Sequence, residues 1–154
     1  MQKKAFTLIE ILVVVTIIGI LLSTAIISYG SLSKSSRDAR RKTDLEQIRA
    51  ALEMWRSSEP LANGQYPDYP EADCSGLNDG AIPNFWEYLP QIPADPKAAS
   101  GPLYKCESTL TGYSLYSTLE LDTSGNICGG SGDCGGADFP CKYAVGPYGK
   151  TCGP

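Results

Sequence analysis

The stretch FTLIEILVVVTIIGILLSTAIISYGSLS, from Phe6 to Ser33, decides the fold of this chain. No charged residue occurs between Ile11 and Ser33. A helix needs about 20 apolar residues to cross the hydrocarbon core of a bilayer, so this run is long enough to span a membrane. Its one charged residue is Glu10. A carboxylate inside such a helix costs about 2.5–3.5 kcal/mol on insertion scales, which indicates a functional role.

A short basic leader precedes this run. Lys3, Lys4 and Ala5 stand before the motif Phe-Thr-Leu-Ile-Glu that begins at Phe6. This order resembles the N-terminal signal of type IV pilins and type II secretion pseudopilins, with Ala5 where that family usually has glycine. The alternative is an ordinary secretory signal or signal anchor. Such a signal is cleaved after its apolar region and is not expected to contain an acidic residue there.

The resemblance implies that a prepilin peptidase cleaves between Ala5 and Phe6 and that Phe6 is then N-methylated. It implies that Glu10 acts in assembly, in a helical homopolymer that also contains other pilins and grows on an inner-membrane platform. Before assembly, the subunit is expected in the cytoplasmic membrane as a single span, with its head outside the cytoplasm. Afterwards it is expected in an extracellular pilus or in a periplasmic or cell-surface pseudopilus.

Four segments follow from the sequence. Residues 1–5 are the leader, 6–33 the apolar helix, 34–57 an amphipathic continuation of it and 58–154 one small head. In the continuation, apolar residues recur every three or four positions, as in a helix that packs on a sheet: Leu45, Ile48, Ala51, Leu52 and Trp55. The helix contains no proline, and Pro60 predicts that it ends by Ser58.

The head shows the alternation of an antiparallel hairpin within about 102–121. Strands are predicted at 103–106 and 113–121, with the turn at 109–112. One face of the second strand is apolar and is expected to pack on the helix: Tyr113, Leu115, Leu119 and Leu121.

The tail, residues 122–154, is rich in glycine and cysteine, and 141–145 is a candidate third strand. The predicted fold class is therefore α+β. It consists of a long N-terminal helix packed on a small antiparallel sheet, followed by a disulfide-rich loop tail.

All six cysteines follow the apolar helix: Cys74, Cys106, Cys128, Cys134, Cys141 and Cys152. An even number in a small, membrane-targeted head predicts disulfides in an oxidising compartment, although the sequence leaves their pairing open. A metal site is the alternative. Cys128 and Cys134 are too far apart for a C-x-x-C pair, and the chain has no histidine to complete a mixed set of ligands.

The absence of histidine also excludes Ser-His-Asp and Cys-His catalysis and the H-E-x-x-H zinc site. Composition alone leaves a pair of catalytic carboxylates open, but no motif points to one. The chain is therefore not expected to be an enzyme.

Charge is distributed unevenly. Residues 34–56 carry seven basic and four acidic side chains, whereas 57–154 carry four basic and twelve acidic ones. The acidic head argues against nucleic-acid binding by this subunit. Five bases form a basic collar after the apolar run, expected near anionic lipid headgroups: Lys34, Arg37, Arg40, Arg41 and Lys42.

The basic collar conflicts with the predicted orientation. Its five bases outnumber Lys3 and Lys4, so the positive-inside rule places the head in the cytoplasm. The cysteines and the family resemblance place it outside, and we adopt that orientation.

Calcium is the one cofactor that the sequence suggests, because major pseudopilins, which the chain resembles, bind calcium in a loop after their sheet. Oxygen donors in that region are Asp122, Ser124, Asn126, Asp133 and Asp138. Their spacing is not that of an EF-hand loop. Glycine-rich turns also favour Asp and Asn for reasons of backbone geometry.

The resemblance implies a structural subunit of a type IV pilus or a type II secretion pseudopilus. Two alternatives stay open. One is a minor pilin at the filament tip that initiates assembly or binds DNA or a surface. The other is a signal-anchored extracellular binding domain that never polymerises.

Overall fold

The computed structural model describes residues 6–80, 82–129, 132–136 and 138–154, the side chains of residues 25, 27 and 28 excepted. One long helix, α1 (Leu8–Ser58), packs its second half on an antiparallel sheet of five strands. This arrangement confirms the predicted α+β class. Met1 to Ala5, the predicted leader, lie outside the described residues.

Helix α1 is continuous over 51 residues, or about 77 Å at a rise of 1.5 Å per residue. Glu59 follows it in an extended conformation, and its N–H still bonds to the carbonyl of Trp55. Pro60 comes next. Because proline has no N–H and clashes with the preceding turn, α1 ends at Ser58, as predicted.

The buried face of α1 is the predicted apolar stripe. Its five members, Leu45, Ile48, Ala51, Leu52 and Trp55, are at most 4% exposed. They share one core with residues of the sheet, among them Tyr113, Leu115 and Val145. Burial of a large apolar side chain contributes about 1.5–3 kcal/mol, so this contact stabilises the attachment of the helix to the head.

The five strands follow one another across the sheet in chain order. They are β1 (Tyr69–Asp73), β2 (Lys105–Thr109), β3 (Gly112–Ser117), β4 (Tyr143–Gly146) and β5 (Gly149–Cys152). Strands β2 and β3 form the predicted hairpin, in which Cys106 pairs with Leu115. Strand β4 overlaps the predicted third strand. Strands β1 and β5 were not predicted, because Pro70 interrupts the first and two exposed polar residues occupy the centre of the second.

The prediction for the end of the hairpin was wrong in two respects. Strand β3 ends at Ser117, and Leu121, expected in the core, is 45% exposed. The face expected to be polar is also covered, since Tyr116 and Thr118 are buried. The tail folds over this side of the sheet and forms a second apolar cluster, which comprises Tyr116, Cys128, Cys134, Cys141 and Ala144.

Three disulfides hold the head together, as predicted. They link Cys74 to Cys106, Cys128 to Cys152, and Cys134 to Cys141. The first joins the end of β1 to β2, and the second joins the tail to the last strand. These two bridges each fasten an irregular segment to the sheet, whereas the third closes a loop within the tail.

The tail lies directly on the chain that enters β2. The N–H of Leu103 donates to the carbonyl of Cys134 at 2.7 Å. Gly135 has a φ of +129°, and a Cβ there would lie 2.1 Å from the carbonyl oxygen of Gly101. Only glycine permits this close crossing.

Buried hydroxyls bind the polar groups of α1. Glu53 accepts hydrogen bonds from the hydroxyls of Tyr66 and Tyr113, both at 2.8 Å. Asp44 accepts one from Tyr104 at 2.7 Å. Burial, together with Glu53, raises the pKa of Tyr66 to about 12, so this hydroxyl remains a donor at neutral pH. These bonds supply partners for polar groups that the core removes from water.

Replacing Cys74 and Cys106 together by serine is expected to lower the free energy of unfolding by about 2–5 kcal/mol, because their bridge spans 32 residues. The matched control is the double serine variant of Cys134 and Cys141. These lie only 7 residues apart, so the loss should be smaller. Urea denaturation of the detergent-solubilised chain measures both. Alkylation of the unreduced wild-type protein by a thiol reagent, read by mass spectrometry, would contradict the bridges.

Candidate assembly surface

The first half of α1 is an uncovered apolar surface. Its large apolar side chains are each at least 48% exposed: Phe6, Leu8, Ile9, Ile11, Leu12, Val13, Val14, Val15, Ile17, Ile18, Ile20, Leu21, Leu22, Ile26, Tyr29 and Leu32. This half of the helix is long and apolar enough to cross a membrane. No part of the head that the structure describes packs on it. A surface of this extent requires a lipid or protein environment.

Three hydroxyl groups within this surface, those of Thr16, Ser23 and Thr24, are satisfied by the helix itself. Thr16 donates to the carbonyl of Val13 at 2.8 Å, and Ser23 donates to that of Ile20 at 2.7 Å. An unsatisfied polar group in hydrocarbon costs several kcal/mol. Because these hydroxyls bond within the helix, they do not prevent its burial in lipid or among other helices.

Glu10 lies at the start of the apolar surface and caps its own helix. Its backbone N–H donates to the hydroxyl of Thr7 at 3.3 Å, and its carboxylate accepts from the N–H of Thr7 at 3.4 Å. This is a reciprocal capping box, and the acid also lies at the positive end of the helix dipole. The spacing Thr-x-x-Glu is a recognised sequence signal for it.

Phe6 directly precedes Thr7, the N-cap residue of α1, and the backbone nitrogen of Thr7 lies 3.4 Å from a carboxylate oxygen of Glu10. An amino group created at Phe6 would therefore lie near the level of the Glu10 carboxylate. Ala5, the other residue of the predicted cleavage site, lies outside the described residues.

A charge network centred on the buried Arg41 lies where the exposed half of α1 meets the head. Arg41 is fully buried, and its guanidinium binds Asp95 through two hydrogen bonds of 2.7 and 3.0 Å. It also donates to Asp38 at 2.8 Å and to Glu120 at 3.1 Å. The head loops that carry Asp95 and Glu120 are thereby joined to one point on the helix.

Glu120 is the second centre of this network. It accepts two hydrogen bonds from Arg37, at 2.7 and 2.6 Å, and one from Lys97 at 2.9 Å. The hydrogen bonds from Arg37, and then those from Lys97 and Arg41, outweigh the effect of burial and hold the pKa of Glu120 far below its ordinary 4.5. The carboxylate therefore remains charged across the physiological range of pH.

Asp38 connects the network to the backbone. Its carboxylate accepts from the N–H of Glu120 at 3.0 Å and from that of Leu121 at 3.0 Å. The chain that leaves β3 is thus anchored to α1 at a level where the sheet has already ended. Together the network contains three bases and three acids, so their formal charges balance: Arg37, Arg41, Lys97, Asp38, Asp95 and Glu120.

This network changes the interpretation of the basic collar. Arg37 and Arg41 are directed into the head and are neutralised there, so they are not available to lipid headgroups. Lys34 and Arg40 remain exposed. Spacing along the helix does not show this, because Asp95 and Glu120 are 54 and 79 residues from Arg41.

The candidate calcium ligands are not gathered into one site. One carboxylate oxygen of Asp122 accepts from the N–H of Ser124 at 2.8 Å, and one of Asp133 accepts from the N–H groups of Gly135 and Gly136. These are the local turn contacts that favour Asp in glycine-rich loops. Within the described ranges, no three His, Cys, Asp or Glu side chains lie together in a way that could hold a metal ion.

Replacing Arg41 by alanine is expected to lower the free energy of unfolding by about 3–5 kcal/mol, because buried carboxylates then lose their partner. Its neighbour Arg40, 65% exposed, is the matched control. The alanine variant at that position should stay within about 0.5 kcal/mol of wild type. Urea denaturation of the full chain in detergent tests both, and equal losses would contradict the role assigned to Arg41.

The sequence was compared with family models and with known proteins, and the matches are to proteins of secretion systems and fimbriae. Residues 1–26 match the family model for the prokaryotic N-terminal methylation motif. The chain is 35% identical over 101 residues to the type II secretion system core protein G of Pseudomonas aeruginosa, which covers 62% of this chain and 68% of that protein.

A second relative is the probable minor fimbrial protein of Dichelobacter nodosus, 36% identical over 85 residues. The match spans 54% of each chain, about half the length of that relative. No solved structure matches the chain. Neither relative is named as an enzyme. The methylation motif, these relatives and the long helix on a small disulfide-bonded sheet show that the chain belongs to the type IV pilin and type II secretion pseudopilin family.

Proposed function

We propose that this chain is stored in the cytoplasmic membrane, cleaved before Phe6 and polymerised through α1 into a type II secretion pseudopilus or a related pilus. The observation that carries the proposal is the exposed apolar half of α1, which begins at a capped Glu10. The relative named as a core protein of the type II secretion system supports the secretion filament. A prepilin peptidase and an inner-membrane platform are the expected partners.

The same apolar surface serves two environments in this proposal. In the precursor it lies in lipid, and in the filament it packs against the α1 helices of neighbouring copies. Both environments remove its large side chains from water, at about 25 cal/mol per Å² of apolar surface. The head keeps its own core in either state, because that core begins only at Leu45.

The disulfides support a head outside the cytoplasm, since such bridges persist in oxidising compartments. The positive-inside rule, applied to the basic collar, argues for the opposite orientation, and the charge network weakens that argument. With Arg37 and Arg41 neutralised inside the head, fewer free bases lie on the head side of the span.

Glu10 is proposed to set the axial position of each subunit. Cleavage creates an ammonium group at Phe6, at the edge of the apolar surface. Neither this cation nor the carboxylate is stable alone in hydrocarbon. Pairing between the amino terminus of one copy and Glu10 of the next offsets both desolvation costs. The competing arrangement is a pair within one monomer.

The mature chain is expected to begin at Phe6 and to carry an N-methyl group. Intact-mass measurement of the protein extracted from cells tests this directly. A chain that retains Met1, or one that begins after the apolar run, contradicts the proposal and favours a signal anchor or an ordinary secretory signal.

Glu10→Gln separates the charge of this residue from its capping role. Glutamine also completes a capping box, so the helix start is preserved while the carboxylate is lost. We expect loss or misregistration of filaments in a strain that expresses only this variant, as for Glu10→Leu, with the monomer retained in the membrane. Electron microscopy of sheared filaments and a membrane-fraction blot provide the measurements.

Thr7→Ala is the control, because it removes the cap but keeps the carboxylate. It should assemble. Normal filaments from Glu10→Gln would reject the proposed charge pair. If only Thr7→Ala failed to form filaments, assembly would depend on the helix cap rather than on the charge of Glu10.

A minor subunit is the second candidate, because one relative is named as a probable minor fimbrial protein. The abundance of this chain in purified filaments, measured by mass spectrometry, distinguishes a major from a minor subunit. A major subunit dominates the filament, whereas a minor one is present at low abundance. Absence of the chain from every filament fraction would instead favour a signal-anchored domain that does not polymerise.

A further inference from the structure

A cavity of about 310 Å³ lies at the base of the head, which is the end nearest the exposed half of α1. This volume is in the range of small-molecule sites. One wall is α1, and the others come from the loop before β2, the chain after β3 and the tail. The charged side chains that line it are Lys34, Arg41, Lys97, Glu120, Asp138 and Lys142.

Two of these charges have opposite sign and no partner. Arg41, Lys97 and Glu120 belong to the balanced network described above. Lys34 and Asp138 do not belong to it, and both are exposed. Among the described residues, neither bonds to any side chain, and no ion pair joins the two. The cavity therefore presents one free cation and one free anion.

Two further ammonium groups keep donors for an anion in the cavity. An ammonium has three N–H donors. Lys97 uses one on Glu120 at 2.9 Å and is 43% exposed, and Lys142 uses one on the backbone carbonyl of Asp122. Among the described residues, neither ammonium has a second contact.

The charges beyond the network leave one net positive charge at this base. The carboxylate of Asp122 lies near the ammonium groups of Lys42 and Lys142. Three bases, Lys34, Lys42 and Lys142, thus stand against two acids, Asp122 and Asp138. One net positive charge matches a single phosphodiester group, and the free Asp138 suits a cation attached to it.

The cavity also has an apolar wall, formed by Pro102, Leu119, Phe139 and Pro140. A ligand for this site therefore combines an anion and a cation with an apolar part. The headgroup of phosphatidylethanolamine has this composition, since a phosphate and an ammonium are joined by a short carbon chain and attached to acyl-glycerol.

The position of Lys34 along α1 places the cavity at the level of lipid headgroups. Phe6 and Lys34 are 28 residues apart, which is about 42 Å at 1.5 Å per residue. A bilayer with its headgroups is about 40–45 Å thick. When the apolar half of α1 spans the membrane, Lys34 therefore emerges among the headgroups of the far leaflet.

We propose that this cavity binds the headgroup of a phosphatidylethanolamine molecule in the outer leaflet of the cytoplasmic membrane. Its phosphate accepts hydrogen bonds from Lys34, Lys97 and Lys142, and its ammonium donates to Asp138. The inference rests on the proposed function, because only a subunit stored in the membrane meets lipid at this level. The bound lipid holds the base of the head against the membrane before assembly.

Ordinary surface charge is the competing explanation, because exposed lysine and aspartate side chains keep a protein soluble without binding a ligand. The two explanations differ in their dependence on the lipid. Solubilising charges do not distinguish phosphatidylethanolamine from phosphatidylglycerol, which has the phosphate but no ammonium.

The test titrates the full chain in detergent with either lipid and counts the bound molecules by native mass spectrometry. Wild type should bind phosphatidylethanolamine about threefold to tenfold more tightly than phosphatidylglycerol. Lys34→Gln should weaken the binding of both lipids by a similar factor. Asp138→Asn should weaken the binding of phosphatidylethanolamine alone, so that the preference is lost.

Lys150→Gln is the control, because this exposed lysine lies on β5 and does not line the cavity. It should bind both lipids as wild type does. Equal binding of the two lipids by wild type, or an unchanged preference in Asp138→Asn, would overturn the inference. Displacement of the lipid by inorganic phosphate at the same concentration would show a plain anion site and would also overturn it.

Lysine footprinting needs no variant, so it does not depend on whether a variant folds. The full chain in detergent is acetylated with and without phosphatidylethanolamine, and the modified lysines are identified by mass spectrometry. The rate at Lys34 relative to that at Lys150 should fall about threefold or more when the lipid is present. An unchanged ratio overturns the inference, whatever the variants do.

Filament yield separates this inference from its foundation. Lipid binding is measured on the unassembled chain, so its failure leaves the proposed polymerisation intact. Loss of filaments from Asp138→Asn with unchanged lipid binding would assign the cavity to a contact between subunits and overturn the inference. Absence of the wild-type chain from the membrane fraction of cells would instead overturn the proposed function.

Discussion

The balanced burial of Arg41 is the constraint on which the head depends. A guanidinium removed from water is tolerated only when its charge and its donors are matched, and here Asp95, Asp38 and Glu120 match them. These acids come from three separate segments. Satisfying one cation therefore holds the loop before β2, the chain after β3 and the helix in one arrangement.

In the function proposed above, this constraint allows one helix to serve in two environments. Beyond the network, towards Phe6, every large apolar side chain that the structure describes is exposed. From Leu45 onward, the stripe that faces the sheet is buried. The network lies between these regions, so the head is fixed to α1 at the point where the exposed apolar half of the helix begins. A change in the surroundings of the exposed apolar half of α1 then need not disturb the core of the head.

Features coded by nearby residues were predictable. Spacing along the chain predicts four of them: the apolar run with its Glu10, the stripe from Leu45 to Trp55, the helix end before Pro60, and the hairpin. The Thr7–Glu10 cap also follows from local spacing.

The sequence by itself determined the class of the protein: a long helix, apolar in its first half, with a small cysteine-stapled head. These features depend on periodicity and composition, which are local. Only the tertiary structure decided which cysteines pair, that the tail covers the second face of the sheet, and that Arg41 meets Asp95 rather than lipid. Such contacts join residues tens of positions apart, and they are selected by the packing and charge balance of the whole head, which no short segment encodes.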